Sequence, residues 1–141
     1  MSKHLTFEMA YHDADLFEIR IVASNGDFSG ATNVYTTPVE LEALAAKLKN
    51  FPKTIDDRVN FDGNPVSEGQ AQIQFFCATG TGHTAAAINI GSINNWGPRV
   101  KGRDQVYLLL NYFDRPLQHF AEQIIHMTLR RSGTATLKAL D

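Results

Sequence analysis

The sequence predicts an α+β fold with two layers, a largely antiparallel sheet of about six strands carrying two helices. Three observations point there. Six short segments read as strands, most of them by alternation of apolar and polar residues with period two and one, 106–113, by a run that is apolar on both faces. Two further segments space their apolar residues for a helix. The helix-start signals at Thr37-Pro38 and Asp114-Arg115-Pro116 each follow three such strands, so the chain reads as strand-strand-strand-helix written twice. A single domain over residues 1–141 accounts for both halves.

In the first segment Leu5, Phe7 and Met9 alternate with Thr6 and Glu8. A turn at His12-Asp13-Ala14 leads into Phe17, Ile19, Ile21 and Ala23 on one face, with Glu18 and Arg20 on the other. Ser24-Asn25-Gly26-Asp27 is a hairpin signal, because Asn and Gly tolerate the positive φ of tight turns. A third strand covers residues 28–36. Thr37 then caps a helix, Pro38 suits its first position, and Glu40 completes a capping box. Leu41, Leu44, Ala45 and Leu48 form its apolar stripe, and it should end near Asn50.

Residues 51–70 contain Pro52, Gly63, Pro65 and Gly69 among polar residues and read as an irregular connection. Ile73, Phe75 and Cys77 resume the alternation, and after Thr79-Gly80-Thr81-Gly82 another strand runs over 84–90. Residues 92–104 read as a longer loop. The segment 106–113 is apolar on both faces, which predicts a central strand covered on each side or one packed against a partner. Asp114 caps the second helix, with Leu117, Phe120, Ala121, Ile124 and Thr128 on one face and Arg130 and Arg131 at its negative end.

Composition narrows the function. Hydrophobic residues make up 43% and charged residues 20%, which predicts a packed core rather than a disordered chain. A lone cysteine, Cys77, allows no intramolecular bridge and fits a reducing compartment. Without an apolar stretch of signal-peptide or membrane-span length, a cytoplasmic protein off the membrane is expected. Residues 1–70 hold eleven acids against six Lys/Arg, a net of −5, and residues 71–141 hold four against seven, a net of +3. That division argues against a uniformly basic nucleic-acid binder and suggests an acidic region facing a basic partner.

Several constellations bear on chemistry. Cys77 and His83 flank a hairpin turn, where a paired register could align thiol and imidazole for a Cys/His hydrolase. Cys77 nevertheless shares the strand phase of Ile73 and Phe75, so packing explains it better and no catalytic residue is assigned. His12, Asp13 and Asp15 could touch a metal but read as turn formers, and His119 and His126 stand two helical turns apart, too far to chelate one ion; no metal or cofactor is expected. Thr79-Gly80-Thr81-Gly82 lacks the helix and remaining glycine of a dinucleotide loop. Trp96 beside Arg99, Lys101 and Arg103 suits a protein contact better than nucleic acid. Leu16, Val22, Tyr35, Phe76, Tyr107 and Leu109 fall on the sheet face opposite the core, so that face has area to bind a ligand or a second copy.

Asp13-Ala14-Asp15-Leu16 through Phe28-Ser29-Gly30-Ala31, then Val34-Tyr35, Leu41, Leu44 and Phe51-Pro52, resemble a family of small bacterial proteins of largely unassigned function. Some of its members are similar to immunity proteins encoded beside polymorphic or contact-dependent toxins. The resemblance spans roughly the first sixty residues, and the rest by strand pattern. It implies a protein that neutralises a toxin by occupying its active surface. The leading expectation is therefore a non-enzymatic protein-binding module. Its contacts would come from Asp13, Asp15, Glu18, Asp56, Asp57, Asp62, Trp96 and Arg99. The second expectation is a small-ligand or homodimerising module built on Tyr35, Phe76 and Tyr107, and the third is the hydrolase.

Overall fold

The computed structural model describes residues 3–65, 69–81, 83–112 and 114–139; the side chains of 65, 94–96, 100, 101 and 114 lie outside that description. The elements in chain order are β1 (His4–His12), β2 (Phe17–Ser24), β3 (Ser29–Thr36), α1 (Pro38–Lys49), β4 (Arg58–Pro65), β5 (Gly69–Cys77), β6 (Thr84–Gly97), β7 (Val100–Tyr112), α2 (Asp114–Arg130) and β8 (Thr134–Lys138). They form one antiparallel sheet in the order β7-β6-β5-β4-β3-β2-β1-β8. The α+β class and antiparallel sheet agree with the sequence, but the described residues form eight strands rather than about six.

Both additional strands have a physical reason for escaping the pattern. In β4 the inward positions are Val59 and Phe61, but the next is Gly63, where a Cβ would collide with the Val34 side chain. Glycine and the terminal Pro65 give this strand the composition of a loop. The last strand, β8, offers only two buried residues, Ala135 and Leu137, too short a run to stand out. The halves are consequently unequal, with four strands between α1 and α2 and one after α2. Residues 92–104, expected as a loop, continue the β6–β7 ladder from Ser92↔Asp104 to Asn95↔Lys101, around a turn at Pro98-Arg99. Among the described residues β5 pairs with β6 as far as Gly69↔Ser92, and the β6–β7 ladder continues beyond that point.

The local signals before α1 behave as expected. Asn25 Oδ1 accepts from the Asp27 and Phe28 amides while Gly26 takes φ 96°, closing β2 to β3. Thr37 Oγ1 accepts from the Glu40 amide at 3.1 Å. Glu40 completes the cap differently, its carboxylate accepting from the Thr36 hydroxyl at 3.0 Å.

One face of the curved sheet and the apolar stripes of both helices enclose the core. Phe7 of β1 stacks within 5.3 Å of both Phe61 of β4 and Phe120 of α2, although β1 and β4 are three places apart in the sheet. Such contacts require the sheet to coil around its own interior. Among the described residues β3 pairs with β4 at Val34 and Tyr35, and the first part of β3 crosses the inner face of β6 and β7. There Thr32 Oγ1 donates to Gly91 O at 3.0 Å, and Gly30 lies against Val106 and Ile90.

Candidate functional site

The outward face of β4–β7 is the most developed surface among the described residues. Strand register sets its rows. Asp62, Gln72, Asn89 and Tyr107 face one another across four strands, and Asn60, Gln74, Ala87 and Leu109 form the row beside them. Gln74 Nε2 donates to Asn60 Oδ1 at 3.0 Å, and Gln105 Nε2 donates to Asn89 Oδ1 at 2.7 Å. These bonds fix the amides in place, so a ligand meets them already ordered. Tyr107 is 63% exposed and Leu109 50%, two large apolar groups in a polar field. A shallow depression of about 220 Å³ lies between Asn60, Asp62, Gln74, Asn89 and Tyr107. Phe76 is half-buried under the Arg58 guanidinium, 5.7 Å from its ring centre.

The residues expected to bind a ligand do not meet in one pocket. Tyr107 faces Asn89, Phe76 stands between Arg58 and Ala85, and Tyr35 stands between Glu18 and Asn64 on the other side of β4. Leu109 and the amides Asn60, Gln74 and Asn89 belong to the surface, although the pattern of the sequence gives the amides no role. The alternating glutamines of β5, Gln70, Gln72 and Gln74, are the one signal that points to them.

The acidic residues expected at a partner surface fall into two groups. Asp13 Oδ1 accepts from the amides of Asp15 and Leu16 at 2.9 and 2.8 Å, and those bonds hold its carboxyl below the ordinary 3.8, with Arg131 and His12 adding to the effect. Its carboxylate therefore shapes the β1–β2 turn, as the turn-forming composition of this segment predicts. Glu18 Oε2 accepts from Asn33 Nδ2 at 2.7 Å, and both carboxylate oxygens of Asp57 accept backbone amides. Asp15, Asp56 and Asp62 are not held in this way, and Asp15 and Asp56 are exposed. Because Tyr35 pairs with both Glu18 and Asn64, Asp62 lies toward the same end of the sheet as Asp15. Arg99 is exposed at the tip of the β6–β7 hairpin, opposite in direction along the strands, and the Trp96 side chain lies outside the described residues.

No protein-family model, curated protein or solved structure matches the chain.

The remaining constellations have visible structural partners. Cys77 is half-buried with Sγ 3.9 Å from Thr54 O, and His83 Nδ1 stands 3.3 Å from Thr79 Oγ1 in the β5–β6 turn. His119 is exposed 3.9 Å from Glu122 on α2, and His126 is exposed two turns on. Among the described residues no group of three or more His, Cys, Asp or Glu is placed to hold a metal ion. Arg131 does not cap α2. It turns out of the helix with φ 56°, donates to Asp13 O at 2.6 Å and covers the Phe17 ring at 5.4 Å. No helix of the described residues is long and apolar enough to cross a membrane.

Proposed function

We propose that this chain is a non-enzymatic protein-binding module, of the kind that neutralises a toxin by occupying its active surface. The supporting observation is the outward face of β4–β7, where amides fixed by the Asn60–Gln74 and Gln105–Asn89 bonds line a depression beside the exposed Tyr107. Protein interfaces concentrate affinity in a few aromatic anchors set among ordered polar groups, whereas small molecules are taken into deep, mostly apolar clefts. Asp62 on that face and Asp56 on the approach to β4 offer exposed carboxylates beside the cations Lys53 and Arg58. Carboxylates so placed would pair with cations of a basic partner, as a nuclease toxin would be.

Capture from the native host tests this directly. The wild-type chain is expected to retain one protein in stoichiometric amount, that protein is expected to arrest growth when expressed alone, and co-expression of the chain is expected to restore growth. Gln72→Lys, an exposed change at the centre of the face, should abolish both capture and rescue. A bare preparation, or a captured protein held equally well by Gln72→Lys, would remove the reading. Self-association is a second reading, favoured by the exposure of Tyr107 and Leu109 on a terminal strand.

A further inference from the structure

The seven residues Val106–Tyr112 are apolar on both faces of a strand, a composition suited to the middle of a sheet. Their place in the fold is otherwise. β7 is the terminal strand, and among the described residues β6 is the one strand paired with it. Its inward residues Leu108, Leu110 and Tyr112 complete the core. Its outward residues Tyr107 and Leu109 face solvent.

Open edges are aggregation hazards, and proteins blunt them with charge, brevity or cover. The sequence of the first half of β7 includes the charged residues Lys101, Arg103 and Asp104, but residues 105–112 contain no charge and no proline. An uncharged edge lets a second copy approach without like-charge repulsion. We propose that β7 pairs antiparallel with β7 of a second copy of this chain, about a two-fold axis through Leu108.

The register follows from the symmetry. In a two-fold pairing centred on Leu108, Tyr107 of each copy lies opposite Leu109 of the other, Gln105 opposite Asn111, and Val106 opposite Leu110. Both exposed apolar side chains of β7 are then covered by a cross-strand partner, an aromatic–aliphatic pair of the kind that stabilises sheets. The two inward rows become continuous. A contact this narrow stays at the low end of specific interfaces, below about 1,200 Å², so the dimer should be weak and concentration-dependent. Self-pairing covers the Tyr107 that the partner reading uses as its anchor, but it is tested apart from that reading because it is measured on the chain alone.

Sedimentation equilibrium of the full chain from about 1 μM to about 1 mM tests it, a range that spans micromolar dissociation constants. The mass is expected to climb from monomer to dimer. Leu109→Lys, and separately Tyr107→Lys, should weaken association at least tenfold with circular dichroism unchanged, since both positions are at least half exposed. Val39→Lys, at an exposed site on α1, should leave it unaltered. In a Cys77→Ser background, a mixture of Tyr107→Cys and Leu109→Cys chains should oxidise to the mixed disulfide in preference to either like pair, because only the mixed pair stands directly opposite and within disulfide reach. A monomer throughout the range, a dimer indifferent to both lysines, or cross-linking without that preference would each overturn the proposal. A monomer that still captures a host protein through Gln72 defeats self-pairing and leaves the partner reading intact.

Discussion

The two ends of the sheet meet solvent in opposite ways. At one end β8 has five residues, ends in Lys138 and packs against α2, whose Gln123 Oε1 accepts from the Thr136 amide at 2.6 Å. A helix side chain thus takes up strand hydrogen-bonding capacity at that edge. At the other end β7 has thirteen residues, no helix against it among the principal contacts, and two exposed apolar side chains. Both strands contribute to one core, so the contrast lies in their outward sides, and it is the outward side of β7 that leaves large apolar groups in solvent.

The comparison breaks most completely if the core is opened. Phe7 touches rings from β4 and α2, and Phe7→Ala should cost about 3–5 kcal/mol in urea denaturation. Both edges should lose amide protection in a single transition, because one cluster joins β1 through β8. Protection surviving in β6–β7 after β8 has exchanged would mean that the two ends are separate folding units.

Smaller changes separate the ends. Gly69, where β5 begins, leaves no room for a side chain, because a methyl group there would press on Asn33 O and stand 2.6 Å from Thr32 Oγ1. Gly69→Ala should therefore destabilise by about 1–3 kcal/mol. Gly102 in β7 has open space around it, and Gly102→Ala should shift stability by no more than about 0.5 kcal/mol. Equal effects at the two glycines would contradict the openness of β7. Gln123→Ala removes the cover of the opposite edge. A loss of about 1 kcal/mol is expected, with faster exchange at the Thr136 amide and unchanged exchange in β7.

Legibility in the sequence follows the strength of local patterns. Helix α1 is readable to its caps because Thr37, Pro38 and Asn50 act within one turn of their own backbone. Strands β1, β2 and β5 are readable because each fills several successive inward positions with large apolar residues. β4 is hidden by Gly63, whose missing side chain is a tertiary accommodation of Val34. The extended β6–β7 hairpin is hidden because the apolar residues of its outer part, Ile93, Trp96 and Val100, are three and four apart and give no period of two to detect. Val106–Tyr112 is apolar on both faces, which leaves open whether strands or a partner cover it. The central position is not the one it takes, since β7 is terminal, and hairpin signals pair neighbouring strands without saying which strand ends the sheet. Of the candidate surface, Tyr107 and Leu109 are visible from phase. The amide pairs are not, because Asn60 and Gln74 become neighbours only through the β4–β5 register.

The smallest expected effect lies in acid and falls on one side only. Asp13 binds the Asp15 and Leu16 amides as a carboxylate, which places its folded pKa below the ordinary value of 3.8. A depressed carboxylate contributes stability that is complete above its unfolded pKa and is lost as pH falls through the folded one. The wild type should therefore surrender this increment below about pH 4. Asp13→Ala should lack it at neutral pH and converge with the wild type in acid. The turn it shapes joins β1 to β2 and receives Arg131 from the α2–β8 link through Asp13 O. Amide exchange in acid should accordingly quicken around residues 13–16 and at Arg131 while the β6–β7 ladder stays as it was. Uniform acceleration across both ends would show that Asp13 acts through global stability rather than through the sealed side of the sheet.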